Sequence, residues 1–267
     1  IIMVNVIKRN NVVVSGQGEQ VILFAHGFGC DQKAWNYIKS SFEDDYKIVM
    51  FDYVGAGNSD LSAYKAERYD SLYGYAKDIL EICEELDLKE VIFVGHSVSA
   101  MIGALASIDK PDLFKKLIFI GPSPCYIHKE NYKGAFDQET IDGLFEVMEE
   151  DYIGWANSLA PAIMDRDNGP ELGEELINNF CSIDPVIARQ FAKVTFLSDN
   201  RPDLPFIPVE NLTIQSSEDM IAPLYIGQYM NENVPNNTLV VVNAKGHCLH
   251  MSHPEETVRA IKDFITL

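Results

Sequence analysis

The chain has 267 residues, of which 47% are hydrophobic and 23% are charged, and this composition is typical of one globular domain with a buried core. Its formal net charge of −19 repels phosphate backbones and anionic lipid, so we expect neither nucleic acid nor a membrane surface as a partner. A membrane-spanning helix is excluded as well, because the sequence contains no run of about 18 apolar residues.

The beginning of the chain and its cysteines bear on the compartment in which the protein works. The apolar stretch in IIMVNVIKRN is too short for a signal peptide and no small-residue cleavage site follows it, while Met3 is a candidate start residue. The five cysteines are odd in number and form no C-x-x-C pair. Free thiols in a reducing compartment fit this pattern better than a disulfide framework, and we therefore expect a cytoplasmic protein.

Short apolar runs rich in β-forming residues alternate with amphipathic helical stretches along the chain. The predicted strands are Val12–Val14, Val21–Ala25, Ile48–Phe51, Val91–Val94, Leu117–Ile120, Leu212–Gln215 and Leu239–Val242. The predicted helices between them include Tyr69–Leu86, Ala100–Ile108 and Pro254–Ile265. This alternation predicts an α/β fold with a mostly parallel sheet covered by helices on both faces, in which the first run could instead be an antiparallel edge strand.

One interval, from about Tyr126 to Asp199, contains no convincing strand. Its predicted helices are Gln138–Glu150, Tyr152–Ala160, Glu171–Phe180 and Pro185–Leu197. Because this interval is too long for a simple crossover, we interpret it as a helical cap over one edge of the sheet. A separate helical domain is the alternative, which the prompt return of the strand pattern at Leu212 disfavours. The predicted organisation is a core over residues 1–125, a cap over 126–200 and the rest of the core over 201–267.

The segment around Ser97 carries the clearest signal for chemistry. An apolar run ends, the serine stands in a tight G-x-S-x-small turn from Gly95 to Ser99, and a helix-forming run begins. This strand-turn-helix context is what a nucleophile elbow requires, because small residues are needed where the backbone crowds. The turn lifts the hydroxyl to the carboxyl edge of the sheet, where the helix N-terminus favours negative charge. Ser97 is the predicted nucleophile, and a serine that only caps the helix is the alternative.

A second turn, His26-Gly27-Phe28-Gly29, follows an early apolar run. An H-G-x-G turn in this place supplies a backbone N–H that converges with the N–H after the nucleophile. We therefore predict the N–H groups of Phe28 and Val98 as an oxyanion hole. A glycine turn without chemistry is the alternative, which the nearby elbow disfavours.

A serine hydroxyl needs a base, and histidine has a pKa near working pH. Of the six histidines, His247 directly follows the last predicted strand, where a loop reaches the carboxyl edge of the sheet. His250 and His253 are the alternatives for the base. The three histidines together are also a candidate zinc site. Their spacing without a matched carboxylate disfavours zinc, and His253 before Pro254 is typical of a helix start.

The acid of such a triad lies between the nucleophile and the histidine in chain order. A strand pattern is followed there by two carboxylates, Glu218 and Asp219. We predict Asp219 as the residue that fixes the imidazole tautomer, with Glu218 as the alternative. Asp219 could also be an ordinary turn residue before a helix at Pro223.

Five stretches together resemble the RsbQ family of bacterial α/β-hydrolases, which is related to the plant karrikin and strigolactone receptors. They are HGFGCDQ at His26–Gln32, FDYVGAG at Phe51–Gly57, FVGHSVSA at Phe93–Ala100, DPVIARQFAK at Asp184–Lys193 and GHCLHMSHP at Gly246–Pro254. The similarity covers nearly the whole chain. His26 and Ser99 resemble the receptor branch, whereas RsbQ itself has glycine in place of Ser99.

The resemblance implies an α/β-hydrolase fold and a small hydrophobic ligand. It also implies a role like that of RsbQ, a positive regulator in the energy-stress pathway to sigma-B that acts with the phosphatase RsbP, or like that of the plant receptors, which hydrolyse butenolides slowly. By position, Ser97, Asp219 and His247 match the family's triad. The residues predicted to line the substrate pocket are Phe28, His96, Tyr126, Phe136, Trp155, Leu159, Phe196 and Ile221. The aromatic residues among them could equally belong to the core of the cap.

Two functions follow as hypotheses. The first is hydrolysis of a small apolar ester or lactone by Ser97 and His247, without a metal ion or organic cofactor. The second is sensing, in which the same pocket captures a metabolite and the cap presents it to a partner such as an RsbP-like phosphatase. Haloalkane and epoxide hydrolases of this fold use an aspartate nucleophile, so Ser97 argues against them. A haloperoxidase function would rest on fold analogy alone.

Overall fold

The structure is a computed structural model that describes residues 5–267. Met3 and the first residues of the apolar stretch on which the signal-peptide prediction rests lie outside the described residues. Across residues 5–267, no helix is both long and apolar enough to cross a membrane.

The elements alternate along the chain as the sequence pattern predicts. The strands are β1 (Val13–Ser15), β2 (Val21–Ala25), β3 (Lys47–Met50), β4 (Val91–His96), β5 (Phe114–Ile120), β6 (Asn211–Glu218) and β7 (Asn237–Lys245). The helices are α1 (Val6–Arg9), α2 (Asn36–Lys39), α3 (Leu72–Glu85), α4 (Val98–Asp109), α5 (Gln138–Glu150), α6 (Tyr152–Met164), α7 (Pro170–Ser182), α8 (Pro185–Phe196), α9 (Leu224–Asn233), α10 (Leu249–Ser252) and α11 (Pro254–Ile265).

The strands form one seven-stranded sheet in the order β1-β3-β2-β4-β5-β6-β7. Strand β1 runs antiparallel to β3 at the edge, with Val13 opposite Met50, and the other pairs are parallel. The mostly parallel sheet is confirmed, and the first run takes the antiparallel form. Parallel strands share one carboxyl edge, so the loops that leave β2, β4, β6 and β7 converge there.

Side chains alternate between the two faces of the sheet, and helices cover both. On one face, strand residues such as Leu23 and Phe93 share a buried cluster with α3 and α4. On the other face, their neighbours Phe24 and Val94 pack with α2 and α11. The near-continuous apolar strands are those of a sheet buried on both sides.

Several predicted boundaries differ from the observed ones. Strand β5 begins at Phe114 rather than Leu117, because Lys116 buries its stem while its ammonium group donates to the Phe264 carbonyl over 2.8 Å. Helix α3 begins at Leu72 rather than Tyr69, whose hydroxyl instead bonds Asp78 over 2.8 Å. Lysines in a strand and a tyrosine before a helix carry no periodic signal of these boundaries.

Helices α5 to α8 lie between β5 and β6, as predicted for the cap. Helix α6 continues through Pro161 to Met164 instead of ending at Ala160, because Ile163 and Met164 are buried in the apolar cluster that the four helices share. Residues of the core loops, including Phe28 and Cys248, pack in the same cluster. This shared core supports the cap interpretation over a separate domain, while the boundaries at residues 125 and 200 stay predictions.

Candidate active site

A sharp turn between β4 and α4 holds Ser97. Its backbone lies at φ 56° and ψ −120°, a conformation that side-chain-bearing residues rarely adopt. A side chain at Gly95 would bring a Cβ within 2.7 Å of the Ser99 carbonyl oxygen, so only glycine fits where strand and helix cross. The Ser97 N–H donates to the Ile120 carbonyl over 2.8 Å, which anchors the turn to β5.

The structure brings the three predicted triad residues together. His247 Nε2 lies 2.7 Å from Ser97 Oγ, and His247 Nδ1 lies 2.7 Å from Asp219 Oδ2. All three side chains are buried. A carboxylate can only accept, so Nδ1–H donates to Asp219, and in the neutral imidazole Nε2 is then the acceptor for the Ser97 hydroxyl. This is the direction of hydrogen bonding that a histidine base needs.

Asp219, and not Glu218, is the carboxylate that meets the imidazole. Asp219 Oδ1 accepts from the backbone N–H groups of Ile221 at 2.8 Å and Ala222 at 3.1 Å, which leaves Oδ2 free for His247. The neighbouring Glu218 side chain is exposed at the end of β6. Strand β6 ends at Glu218, and Asp219 is buried in the turn that follows, where its carboxylate reaches His247.

The loop that carries His247 is also bonded to the cap. The His247 N–H donates to the Ile163 carbonyl near the end of α6 over 2.9 Å. The Asn168 side-chain amide donates to the Lys245 carbonyl over 2.8 Å and to the Met164 carbonyl over 2.7 Å. The last turn of α6 and the histidine loop are therefore joined through their backbones.

The two amides predicted as an oxyanion hole are available for a ligand. Val98 is the first residue of α4, so its N–H has no partner within the helix. Within residues 5–267, the N–H groups of Val98 and Phe28 have no acceptor. Two free amides beside a serine hydroxyl can stabilise negative charge that develops on a carbonyl oxygen.

A small cavity of about 30 Å³ adjoins Ser97. Five of the predicted pocket residues line it, namely Phe28, His96, Tyr126, Phe196 and Ile221, together with Ser97 and His247. The residues that sequence reasoning missed are Cys30, Ile163, Leu176, Thr195 and Cys248. Cys30 and Cys248 directly follow the Gly27–Gly29 turn and His247, and this adjacency could have identified them.

Three predicted pocket residues, Phe136, Trp155 and Leu159, do not line this cavity, which corrects the prediction. The Trp155 ring packs between those of Tyr152 and Phe180, with ring centres 5.5 and 4.9 Å away, and so fills the cap core. Phe136 packs against the Phe196 ring at 6.2 Å, and Leu159 lies at the margin of the same apolar cluster. Helical periodicity indicates that these side chains are buried but not which of them meets the cavity.

Comparison with known proteins identifies the family of this chain. Residues 22–260 match the pattern of the alpha/beta hydrolase family. The chain belongs to that family. A karrikin insensitive 2 receptor of Petunia hybrida is 38% identical over 94% of this chain and 93% of its own, and a strigolactone esterase of Arabidopsis thaliana is 34% identical over 97% of each. The solved structure of a hydrolase from Oleispira antarctica is 43% identical, covers 98% of this chain and 96% of its own, and has a TM-score of 0.96.

The two alternative histidines of this α/β hydrolase lie elsewhere. His250 is fully buried, with its ring centre 4.4 Å from that of Trp35 and 4.5 Å from that of His96. His253 stands at the N-cap of α11 and bonds the Ser252 hydroxyl. Among the described residues, no group of three or more histidine, cysteine, aspartate or glutamate side chains could hold a metal ion.

Burial of His250 makes the stability of this α/β hydrolase sensitive to acid. Desolvation, with a smaller effect of nearby His247, lowers the pKa of His250 from 6.5 to about 3. The folded protein therefore keeps this imidazole neutral, whereas the unfolded chain protonates it below pH 6.5. This stabilising contribution is complete above pH 6.5 and is lost as the pH falls towards 3.

We expect the free energy of unfolding to be lower at pH 5 than at pH 7, with His250 alone accounting for about 2 kcal/mol of the difference. Replacing His250 by Phe keeps a ring against Trp35 and removes the titration. Urea unfolding of His250→Phe at pH 5 and pH 7 should then show that the free energy of unfolding differs between the two pH values by about 2 kcal/mol less than in the parent protein. An unchanged difference would show that His250 does not take part.

Proposed function

We propose that this α/β hydrolase is a serine hydrolase that cleaves a small apolar carboxylic ester or lactone. The observation that carries the proposal is the unbroken hydrogen-bond chain from Asp219 through His247 to Ser97. The hydroxyl of a residue in such a chain is activated for attack on a carbonyl carbon. The resemblance of the triad and the elbow to those of known serine hydrolases supports the same chemistry.

In the first half of the reaction, Ser97 Oγ attacks the carbonyl carbon and its proton passes to His247 Nε2. The N–H groups of Phe28 and Val98 stabilise the oxyanion of the tetrahedral intermediate. Asp219 stabilises the imidazolium. The intermediate collapses as the C–O bond breaks, and the alkoxide leaves with the proton from His247. For a lactone the alcohol stays attached to the acyl chain.

In the second half, His247 takes a proton from water, whose oxygen attacks the acyl carbon. A second tetrahedral intermediate expels Ser97 Oγ, which regains the proton from His247. The products are a carboxylic acid and an alcohol, or a single hydroxy acid from a lactone. The chain needs no metal ion or organic cofactor for these steps, since each proton moves between named atoms.

The cavity supports a small apolar substrate. Most of its wall is apolar, including Phe28, Phe196 and Ile221. A volume of about 30 Å³ holds only one or two water molecules, so the side chains around it must move apart to admit even a small lactone. Relatives named as strigolactone esterases and as a probable esterase support an ester or lactone.

A receptor function is the second candidate, favoured by relatives at 36% to 38% identity that are named karrikin insensitive 2 receptors. In this case the pocket binds a butenolide-like ligand and hydrolyses it slowly, and a partner protein binds the surface of the cap in the ligand-bound state. Regulation of a sigma-B-type stress response through an RsbP-like phosphatase remains part of this proposal. The five thiols, free within residues 5–267, support a reducing compartment such as the cytoplasm.

The test of the hydrolase function is the variant Ser97→Ala. We expect it to lose labelling by a fluorophosphonate probe and to lower kcat for p-nitrophenyl acetate by at least about 10⁴-fold, as removal of a serine nucleophile does elsewhere. Ser107→Ala is the matched control, because Ser107 lies in the same helix and bonds only the Ala104 carbonyl. Parental activity in Ser97→Ala, or no labelling of the parent protein, would reject the proposal.

The receptor function requires a separate measurement. Capture of the predicted phosphatase by the parent protein only when a butenolide is present, together with slow turnover of that butenolide, would support it. Fast turnover with no ligand-dependent partner would leave an ordinary esterase.

A further inference from the structure

Ser99 stands where the strict elbow pattern has glycine, and its hydroxyl is engaged in a specific bond. The side chain is fully buried. Its Oγ lies 2.5 Å from the His26 carbonyl oxygen and 2.7 Å from the Tyr53 hydroxyl oxygen. Both partners satisfy a hydroxyl that burial removes from water.

The direction of both bonds follows from the atoms involved. The His26 carbonyl can only accept, so the Ser99 hydroxyl donates its one proton to it. The Tyr53 hydroxyl must then donate to Ser99 Oγ. The result is a chain from Tyr53 through Ser99 to the backbone of His26, at a place where water has no access.

This chain joins the two segments that carry the oxyanion amides. Ser99 follows Val98 directly on α4, and His26 precedes Phe28 by two residues in the loop after β2. The two amides thus belong to separate elements, helix α4 and the loop after β2. The Ser99 hydroxyl forms a side-chain hydrogen bond between these two elements. Because few covalent bonds separate this hydrogen bond from the Phe28 and Val98 amides, it restrains the distance between them.

The loop that contains Phe28 is held at other points as well. His26 Nδ1 donates to the Gly27 carbonyl over 2.8 Å, and His26 Nε2 accepts from the Tyr53 N–H over 3.1 Å. Burial lowers the pKa of His26, in keeping with this neutral imidazole. These bonds fix the loop internally or to the segment that follows β3, and the Ser99 bond fixes it to helix α4, which follows the nucleophile.

We propose that Ser99 is a positioning residue whose hydroxyl sets the spacing between the Phe28 and Val98 amides by tying helix α4 to the His26 carbonyl. The inference rests on the proposed serine hydrolase function. Because an oxyanion forms only in the transition state, loosening this bond lowers kcat and leaves KM nearly unchanged. Small displacements of reacting groups cost up to about 10²-fold in rate.

The experiment compares Ser99→Ala, Tyr53→Phe and the double variant. Ser99→Ala removes the bond to His26 and leaves the buried Tyr53 hydroxyl without a partner, so we expect kcat for p-nitrophenyl acetate to fall about 10- to 100-fold and stability to fall. Tyr53→Phe keeps the bond between Ser99 and His26, so kcat should stay at the parental value. The double variant should regain stability but not kcat.

The rate at which a fluorophosphonate labels Ser97 provides a second readout, because the phosphonyl oxygen occupies the same oxyanion hole. The positioning role is rejected if the probe labels the parent protein and Ser99→Ala equally fast and both hydrolyse p-nitrophenyl acetate with the same kcat. Equal losses of kcat in Ser99→Ala and Tyr53→Phe would also reject it, since general packing would then be the cause. A parent protein that is never labelled would instead reject the hydrolase function itself.

Discussion

Replacing Asp219 by Asn should lower kcat for ester hydrolysis by about 10⁴-fold, the loss seen when a triad aspartate is neutralised in other serine hydrolases. Asp219 Oδ2 accepts from His247 Nδ1–H at 2.7 Å. An asparagine that keeps its carbonyl on the Ile221 and Ala222 amides presents N–H₂ to the imidazole instead. His247 must then turn Nδ1 into an acceptor and place its proton on Nε2, where it faces Ser97 and cannot accept the hydroxyl proton.

Glu218→Gln is the matched control, because it neutralises the adjacent exposed carboxylate and leaves the hydrogen bonds of Asp219 untouched. Its kcat should equal that of the parent protein. Steady-state kinetics on p-nitrophenyl acetate, with circular dichroism to check the fold, shows which of the two carboxylates, Asp219 or Glu218, is needed for activity. A large loss in Glu218→Gln and none in Asp219→Asn would assign the acid to Glu218 and overturn the triad described above.

A methyl group at Gly103 should destabilise the protein by about 1–3 kcal/mol, the usual effect of overpacking a core. A Cβ at this position of α4 would overlap the ring of Phe93 on β4. Both residues lie beneath the elbow, so the helix must move away from the strand and Ser97 must move with it. We expect a lower urea midpoint and a lower kcat together.

Two further variants test this explanation. Gly143→Ala places the same methyl group in helix α5, where nothing lies within 4 Å, and should stabilise the protein by about 0.5–1 kcal/mol through helix propensity. Phe93→Leu combined with Gly103→Ala removes the ring atoms that collide and should recover part of the loss. If Gly103→Ala unfolds at the parental urea concentration, the close approach of α4 to β4 is not what selects glycine.

The sequence alone predicts the sheet and the position of the triad well, because both rest on local patterns. Val21–Ala25 is a strand at the predicted bounds, and the G-x-S-x-small turn lies between β4 and α4. The chain order of serine, acid and histidine selects Asp219 and His247 from many carboxylates and six histidines. Local turn chemistry and strand order fix these residues before any long-range contact is known.

The wall of the cavity is harder to predict, because it depends on how four cap helices pack against one another. Trp155 and Phe196 are both aromatic residues of predicted cap helices, yet Phe196 lines the cavity and Trp155 fills the cap core. The hydrogen bond from Ser99 to the His26 carbonyl cannot be predicted either, since the two residues are distant in sequence. Such facts arise from side-chain packing between elements, which a pattern within one element does not encode.

The bond from the His247 N–H to the Ile163 carbonyl has a mechanical consequence. At 2.9 Å it tolerates a stretch of only about half an ångström before it ceases to be a hydrogen bond. A ligand that displaces the last turn of α6 to enlarge the cavity must therefore either break this bond or move the backbone of His247 together with the cap. Movement of this end of α6 is therefore coupled to the position of the loop that carries His247.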